Sequence, residues 1–170
     1  MRDADEFDAF YAASSRRVLG QVYAMTGNRA EAEDAVAEAY LKAWDRWATV
    51  RDCDSPEAWV RRVASRNAVS AFRKAVNRLR AHHRDAVGEE VEGLSPDHVA
   101  LVHALRQIPA DQRRVIVLHH LVGLNVAEIA QEVGAPTGTV KARLARGRRA
   151  MAEHLTDSDG PATGRVSHDA

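Results

Sequence analysis

The residues able to do covalent chemistry are few and poorly placed for it. Cys53 is the only cysteine, so neither an intrachain disulfide nor a cysteine-based zinc site is available. His82-His83 and His119-His120 are adjacent pairs, and neighbours on a helix point about 100° apart, which favours structural or surface roles over metal ligation. No nucleophile stands at a sensible spacing from a base, and no glycine-rich phosphate loop follows a strand. A small helical enzyme is therefore disfavoured: no catalytic residue, metal set or cofactor is expected.

The chemistry the sequence does concentrate is that of charge. Lys plus Arg number 24 and Asp plus Glu number 24, a balance that conceals strong segregation. Residues 1–60 carry 7 basic and 12 acidic residues, 61–84 carry 8 basic and none acidic, and 85–97 carry five acidic and none basic. Residues 98–135 balance, 136–150 hold five basic residues with no acid, and 151–170 are again acidic. A solvated helix face usually mixes signs to gain i,i+4 pairs, so two unmixed basic blocks point to phosphate contact, and hence to nucleic acid.

Helices must present these blocks. Phe7, Tyr11, Val18, Val22 and Met25 recur at helical spacing until Gly27-Asn28 stops the helix. Asn28 with Glu31 makes a capping-box-like start to a second helix, whose apolar stripe runs Ala32, Ala35, Val36, Ala39, Tyr40, Ala43, Trp44 and Trp47. The outer face of that helix shows Glu31, Asp34, Glu38 and Asp45, an acidic ridge with little opposing charge and no His or second acidic helix to complete a metal site. Ser55-Pro56-Glu57 caps and opens a third helix, buried through Trp59, Val60, Val63, Phe72, Ala75, Val76 and Leu79, with Arg62, Arg66, Arg73 and Arg80 along one outer stripe.

All nine aromatics lie between Phe7 and Phe72, so the two halves have different cores. The expected architecture is all-α: a helical domain over 1–84, a flexible acidic linker over 85–95, a second helical domain over 96–155, and a frayed tail over 156–170. In the second domain Ser95-Pro96-Asp97 opens a helix carrying Leu101, Leu105 and Ile108, Pro109 ends it, and another helix runs through Val115, Leu118 and Val122. Asn125 and Glu128 then start a short helix ending at Gly134, and Pro136-Thr137-Gly138-Thr139 opens a longer one with Val140, Leu144, Met151 and Leu155 inside. This is helix-turn-helix spacing: small Ala130 permits a close crossing, Gly134 takes a positive φ, and Val140 plugs the gap. Lys141, Arg143, Arg146 and Arg149 are left on the free face, suited to a major groove walled by phosphates. The longest apolar runs fall far short of the roughly 20 residues that cross a bilayer. Met1–Glu6 lacks a signal-peptide core, so a cytoplasmic protein without a membrane partner is expected.

Over about residues 5–155 the sequence resembles the extracytoplasmic-function sigma factors of the sigma-70 family. The resemblance rests on Glu6-Phe7-Asp8-Ala9-Phe10-Tyr11, on Asn28 to Val36 running into Ala43-Trp44, and on Pro56 to Ala64. In the second half it rests on Ile108-Pro109, Gln112-Arg113, Glu128-Ile129-Ala130 and Gly138 to Leu144, and the order and spacing are more specific than any one motif. It implies that 1–84 is a region 2 domain and 96–155 a region 4 domain, together directing core RNA polymerase to promoter DNA. Glu31, Asp34, Glu38 and Asp45 would then dock on the polymerase β′ clamp helices, with the β flap a further polymerase contact. Arg62, Arg66, Asn67, Arg73 and Lys74 would engage the −10 element and its unpaired strand. Thr137, Thr139, Lys141, Ala142, Arg143, Ala145, Arg146 and Arg149 would read the −35 element in the major groove. The linker would thread toward the RNA exit path, and an anti-sigma factor, common in the family, would bury the same two faces. Arg66 stands where many members carry an Asn that helps hold a flipped base, and Ala142 and Ala145 offer only methyl groups to the −35 bases. The competing reading is a helix-turn-helix regulator acting without polymerase, which leaves the acidic ridge and the first basic helix without a task.

Overall fold

The computed structural model describes residues 2–79 and 96–158, and every regular element among them is a helix. The order is α1 (Arg2–Thr26), α2 (Arg29–Asp45), α3 (Trp47–Val50), α4 (Pro56–Leu79), α5 (Pro96–Arg106), α6 (Ala110–His120), α7 (Val126–Val133) and α8 (Thr137–Ser158). The expected linker and Arg80 lie outside the described residues. So does the tail from 159 onward, whereas Thr156 to Ser158 continue α8.

Local chemistry accounts for most helix boundaries. Gly27 ends α1 at φ 71°, a left-handed conformation that costs a side chain with Cβ dearly. The Asn28 side chain accepts from the Glu31 amide at 3.1 Å, but the reciprocal half of the box is absent: the Asn28 amide donates to Thr26 Oγ1 instead. The expected continuation of α2 through Trp47 is broken at Arg46, where the backbone leaves helical values (φ −122°, ψ 23°) and Trp47 begins a separate short helix. Ser55 Oγ accepts from the Ala58 amide at 3.2 Å and so caps α4.

Four helices build the first half around an aromatic cluster in which Phe7 and Phe10 each approach Trp47 with ring centroids 5.1 Å apart. Tyr40 is buried there, its hydroxyl 2.7 Å from Ser14 Oγ, and burial pushes its pKa up to about 12. The second half is packed by aliphatic side chains, among them Leu105, Val115, Val117, Leu118, Ile129 and Val140, all fully buried. One connected apolar core joins the halves, because α1 packs against α2 and α4 of its own half and against α5 and α6 of the other. Gly27 marks that junction: a Cβ there would stand 2.6 Å from Arg106 Cγ and 2.7 Å from Arg113 Nη1.

Candidate nucleic-acid interface

The helix-turn-helix is specified almost atom by atom. Asn125 Oδ1 accepts from the Glu128 amide at 3.0 Å while Glu128 Oε2 accepts from the Asn125 amide at 2.7 Å, a complete capping box at the start of α7. Gly134 ends α7 at φ 66°, ψ 41°, and its amide returns to the Ala130 carbonyl. Val140 and Leu144 turn inward from α8, and Gly147 allows α6 to approach so closely that a Cβ would meet Ile116 Cγ1 at 2.9 Å.

With that face buried, Thr137, Lys141, Ala145, Arg146 and Arg149 are exposed, and Thr139 and Ala142 are half-buried beside them. Arg143 departs from the set. It turns toward α6, where Nε lies 3.0 Å from Asp111 Oδ2. Arg148, which sequence reasoning passed over, is exposed instead, and its Nε donates to His120 Nε2 at 3.4 Å. Burial, then neighbouring His119 and Arg148, lowers the pKa of His120, so it is biased toward the neutral imidazole that can accept. His119 Nδ1 bonds the Leu124 carbonyl at 2.9 Å, and the two imidazoles touch edge to face at 4.8 Å, a structural use of both rings.

On α4, Arg62 and Arg66 are exposed and Asn67 is half-buried, its Oδ1 accepting from Lys42 Nζ at 3.4 Å. The side chains of Arg73 and Lys74 lie outside the described residues. Arg61, adjacent to this stripe, is buried and crosses to the other half. Its Nη2 meets Glu132 Oε2 on α7 at 3.0 Å and its Nε meets Oε1 at 3.3 Å, with the two side chains 6% and 3% exposed.

The acidic ridge of α2 is largely as expected, with two refinements. Asp34, Glu38 and Asp45 are exposed, Glu38 pairing with Lys42 at 2.6 Å one turn on. Glu31 is half-buried and faces the second half, lining a cavity beside Arg113. Sequence reasoning also missed the apolar partners of this ridge: Leu41 is 66% and Trp44 45% exposed. Trp44, expected within the apolar stripe, lies at its edge, one side against Phe7 with ring centroids 5.1 Å apart and the other in solvent. Acids interleaved with exposed large apolar groups suit a protein surface, whereas the bare cationic face of α8 suits phosphates.

Among the described residues no group of three or more His, Cys, Asp or Glu side chains is placed to hold a metal ion, and no helix is long and apolar enough to cross a membrane. Comparison with known proteins matches residues 10–78 to the family model of sigma-70 region 2 and residues 98–151 to that of sigma-70, region 4. The chain is 33% identical over 140 residues to the ECF RNA polymerase sigma factor SigL of Mycobacterium tuberculosis, covering 75% of this chain and 76% of that one. It is 28% identical over 174 residues to the ECF RNA polymerase sigma factor SigW of Bacillus subtilis, covering 91% of each. In fold it is similar to the sigma factor RpoE of Bartonella quintana, solved in complex with the anti-sigma factor NepR, with a TM-score of 0.75 at 22% identity over 89% of this chain and 97% of that one.

Proposed function

The chain belongs to the extracytoplasmic-function group of the sigma-70 family, the RNA polymerase sigma factors that direct core polymerase to promoters and initiate transcription, and we propose how its surfaces divide that task. The observation that carries the division is the contrast between the two open helix faces, acidic and apolar on α2, cationic on α8.

Asp34, Glu38 and Asp45, with Leu41 and Trp44, form the polymerase-binding face, opposite the β′ clamp helices; Glu31 joins them when the cleft beside it opens. The exposed acids supply attraction and orientation, and the two apolar side chains supply area removed from water. Lys141, Arg146 and Arg149 enter the −35 major groove, which is about 12 Å wide and accepts a helix. Thr137 and Thr139 at the start of α8 meet the phosphate wall, while Ala142 and Ala145 give methyl contacts to thymine. Arg143 joins them only by leaving Asp111. Arg62, Arg66, Asn67, Arg73 and Lys74 hold the −10 element, mostly through its backbone, since arginines predominate. The chain acts through contacts and strand capture and makes no covalent bond itself. The likeness to a sigma factor bound by its anti-sigma factor supports a comparable protein inhibitor covering these faces.

Run-off transcription with purified core polymerase and a promoter library tests the reading: promoter-specific transcripts appear only when this chain is added. Asp34→Lys with Glu38→Lys abolishes co-elution with core polymerase while helicity by circular dichroism is unchanged. Retained co-elution assigns the ridge another purpose. A regulator working without polymerase is not favoured, since it leaves the match over residues 10–78 without a function.

A further inference from the structure

Where the two halves meet, a cavity of about 350 Å³ opens between α1, α4, α6 and the helix-turn-helix. Val22, Met25 and Val69 from the first half and Val133 from the second form its apolar wall. Arg113 and Arg114 of α6 line it as well, and their placement is anomalous. Arg113 Nε, Arg114 Nε and Arg114 Nη2 are shielded from solvent and hydrogen-bonded to nothing among the described residues.

The nearby acids do not relieve them. Glu132 attracts Arg114 but gives both oxygens to Arg61 in hydrogen bonds, and Asp111 is paired with Arg143. The attraction Glu31 exerts on Arg113 is coulombic only. Arg66 and Arg143 add repulsion at Arg114, and Arg106 does so at Arg113. Partial burial lowers the pKa of both guanidinium groups, yet arginine does not give up its proton in proteins, so each remains a half-buried cation whose shielded N–H groups lack an acceptor. Among the charged side chains lining the cavity, Arg113, Arg114 and Arg143 stand against Glu31 and Asp111, an excess of one positive charge. Water would supply an acceptor and no counter-charge. A planar or tetrahedral oxyanion supplies both, because the guanidinium fork matches its paired oxygens.

We propose that this interdomain cleft binds a small organic acid, its oxyanion held by Arg113 and Arg114 and its short apolar body held by Val22, Met25, Val69 and Val133. The size and the mixed lining are those of a small-molecule site. Because the walls come from both halves, the ligand stabilises their packed arrangement and opposes any separation of the α4 and α8 faces. Of the lining residues only Glu31 and Arg143 carry a role assigned above, neither is the proposed ligand-holding group, and binding is measured without DNA or polymerase.

Isothermal titration of the full chain uses sodium hexanoate as the probe, with inorganic phosphate to separate an organic acid from a free oxyanion, and hexylamine as the control of opposite charge. Hexanoate binds saturably at one site and hexylamine does not. Arg114→Met keeps the aliphatic stem and weakens hexanoate at least tenfold. Ala68→Leu, which fills the cavity from α4 and leaves every arginine in place, weakens it equally, and the exposed Arg16→Gln leaves it unchanged. Phosphate binding as tight as hexanoate, with the same sensitivity to Arg114→Met, supports the oxyanion site and overturns the role of the apolar wall. Absence of saturable hexanoate and phosphate binding, or binding that survives both cavity variants, overturns the proposal. The Ala68→Leu arm keeps the test decisive if Arg114→Met fails to fold.

Discussion

The two halves of the molecule solve the same problem, burying helices around a core, with different materials. The first half uses two long helices, α1 of 25 residues and α4 of 24, around interlocked aromatic rings. The second uses shorter α5 to α7, of 11, 11 and 8 residues, closed by aliphatic side chains and fixed by one capping box and two glycines of positive φ, Gly123 and Gly134. Their surfaces differ in the same way: apolar groups remain exposed among acids on α2, while α8 shows charge with little apolar area. Large amphipathic residues left at a surface fit a protein partner, and a cationic helix on a rigid short-loop scaffold fits a groove that demands exact placement.

The largest effect is expected where the two halves are joined. The Arg61–Glu132 pair is the most deeply buried ion pair among the described residues, and removing one partner strands the other charge. Glu132→Ala or Arg61→Ala is expected to cost about 3–5 kcal/mol in urea unfolding, whereas the double change to Met at both positions recovers most of it. Equal loss in the double variant would mean that shape, not charge, holds the halves together.

Next in size is the set of exposed bases on α8 that we propose faces the groove. Lys141→Ala or Arg146→Ala is expected to weaken −35 duplex binding by about 1–3 kcal/mol where a base is contacted, or to lower the salt slope by about one where a phosphate is. Arg143→Ala is expected to do less in the free chain's first encounter with DNA, because Arg143 is engaged by Asp111. Fluorescence anisotropy across a salt series separates the three, and equal losses would show that the Asp111 pair opens at no cost.

The scaffold beneath that face comes third. Asn125→Ala removes one half of the capping box and is expected to cost about 1 kcal/mol, typical for loss of such a cap. The measurement is thermal unfolding, and the diagnostic is hydrogen exchange: amides at the start of α7 lose protection first, while those of α2 are unchanged.

Features set by neighbours in sequence were legible before any coordinates. Gly27, the Asn125–Glu128 spacing, Gly134 and the inward set Val140 and Leu144 each specify their own geometry within one or two turns, so the helix-turn-helix and, except for Arg143 and Arg148, the bases on its free face could be placed. The membership that follows from motif order was legible for the same reason. What was not legible depends on residues far apart in the chain. Arg61 and Glu132 are 71 positions apart, and nothing in the local pattern distinguishes Arg61 from exposed Arg62. Arg113 and Arg114 sit in a stretch of balanced charge, yet their partial burial comes from α1 packing over α6. Trp44 was misjudged because an apolar residue at the edge of a helical stripe fits the periodicity whether or not a neighbour covers it.

The smallest expected effect contrasts a surface bridge within one half with the buried bridge between halves. Arg17 holds Glu57 through two bonds of 2.7 and 2.6 Å, and that hydrogen bonding, followed by the attraction of Arg17, lowers the Glu57 pKa below its ordinary value. Because the folded value is the lower one, the carboxylate contributes stability above the unfolded value, about 4.3 for a free Glu. The contribution fades as pH falls through the folded value. Glu57→Gln should therefore lower the melting temperature slightly at pH 7, and the gap to the parent chain should close as the pH is taken below 4. Solvent screens this exposed pair, so the gap is small and shrinks further in high salt. A gap that persists at low pH would instead assign the loss to packing of the Glu57 stem at the start of α4. In that case the bridge is a consequence of how α1 meets α4 rather than a cause of it.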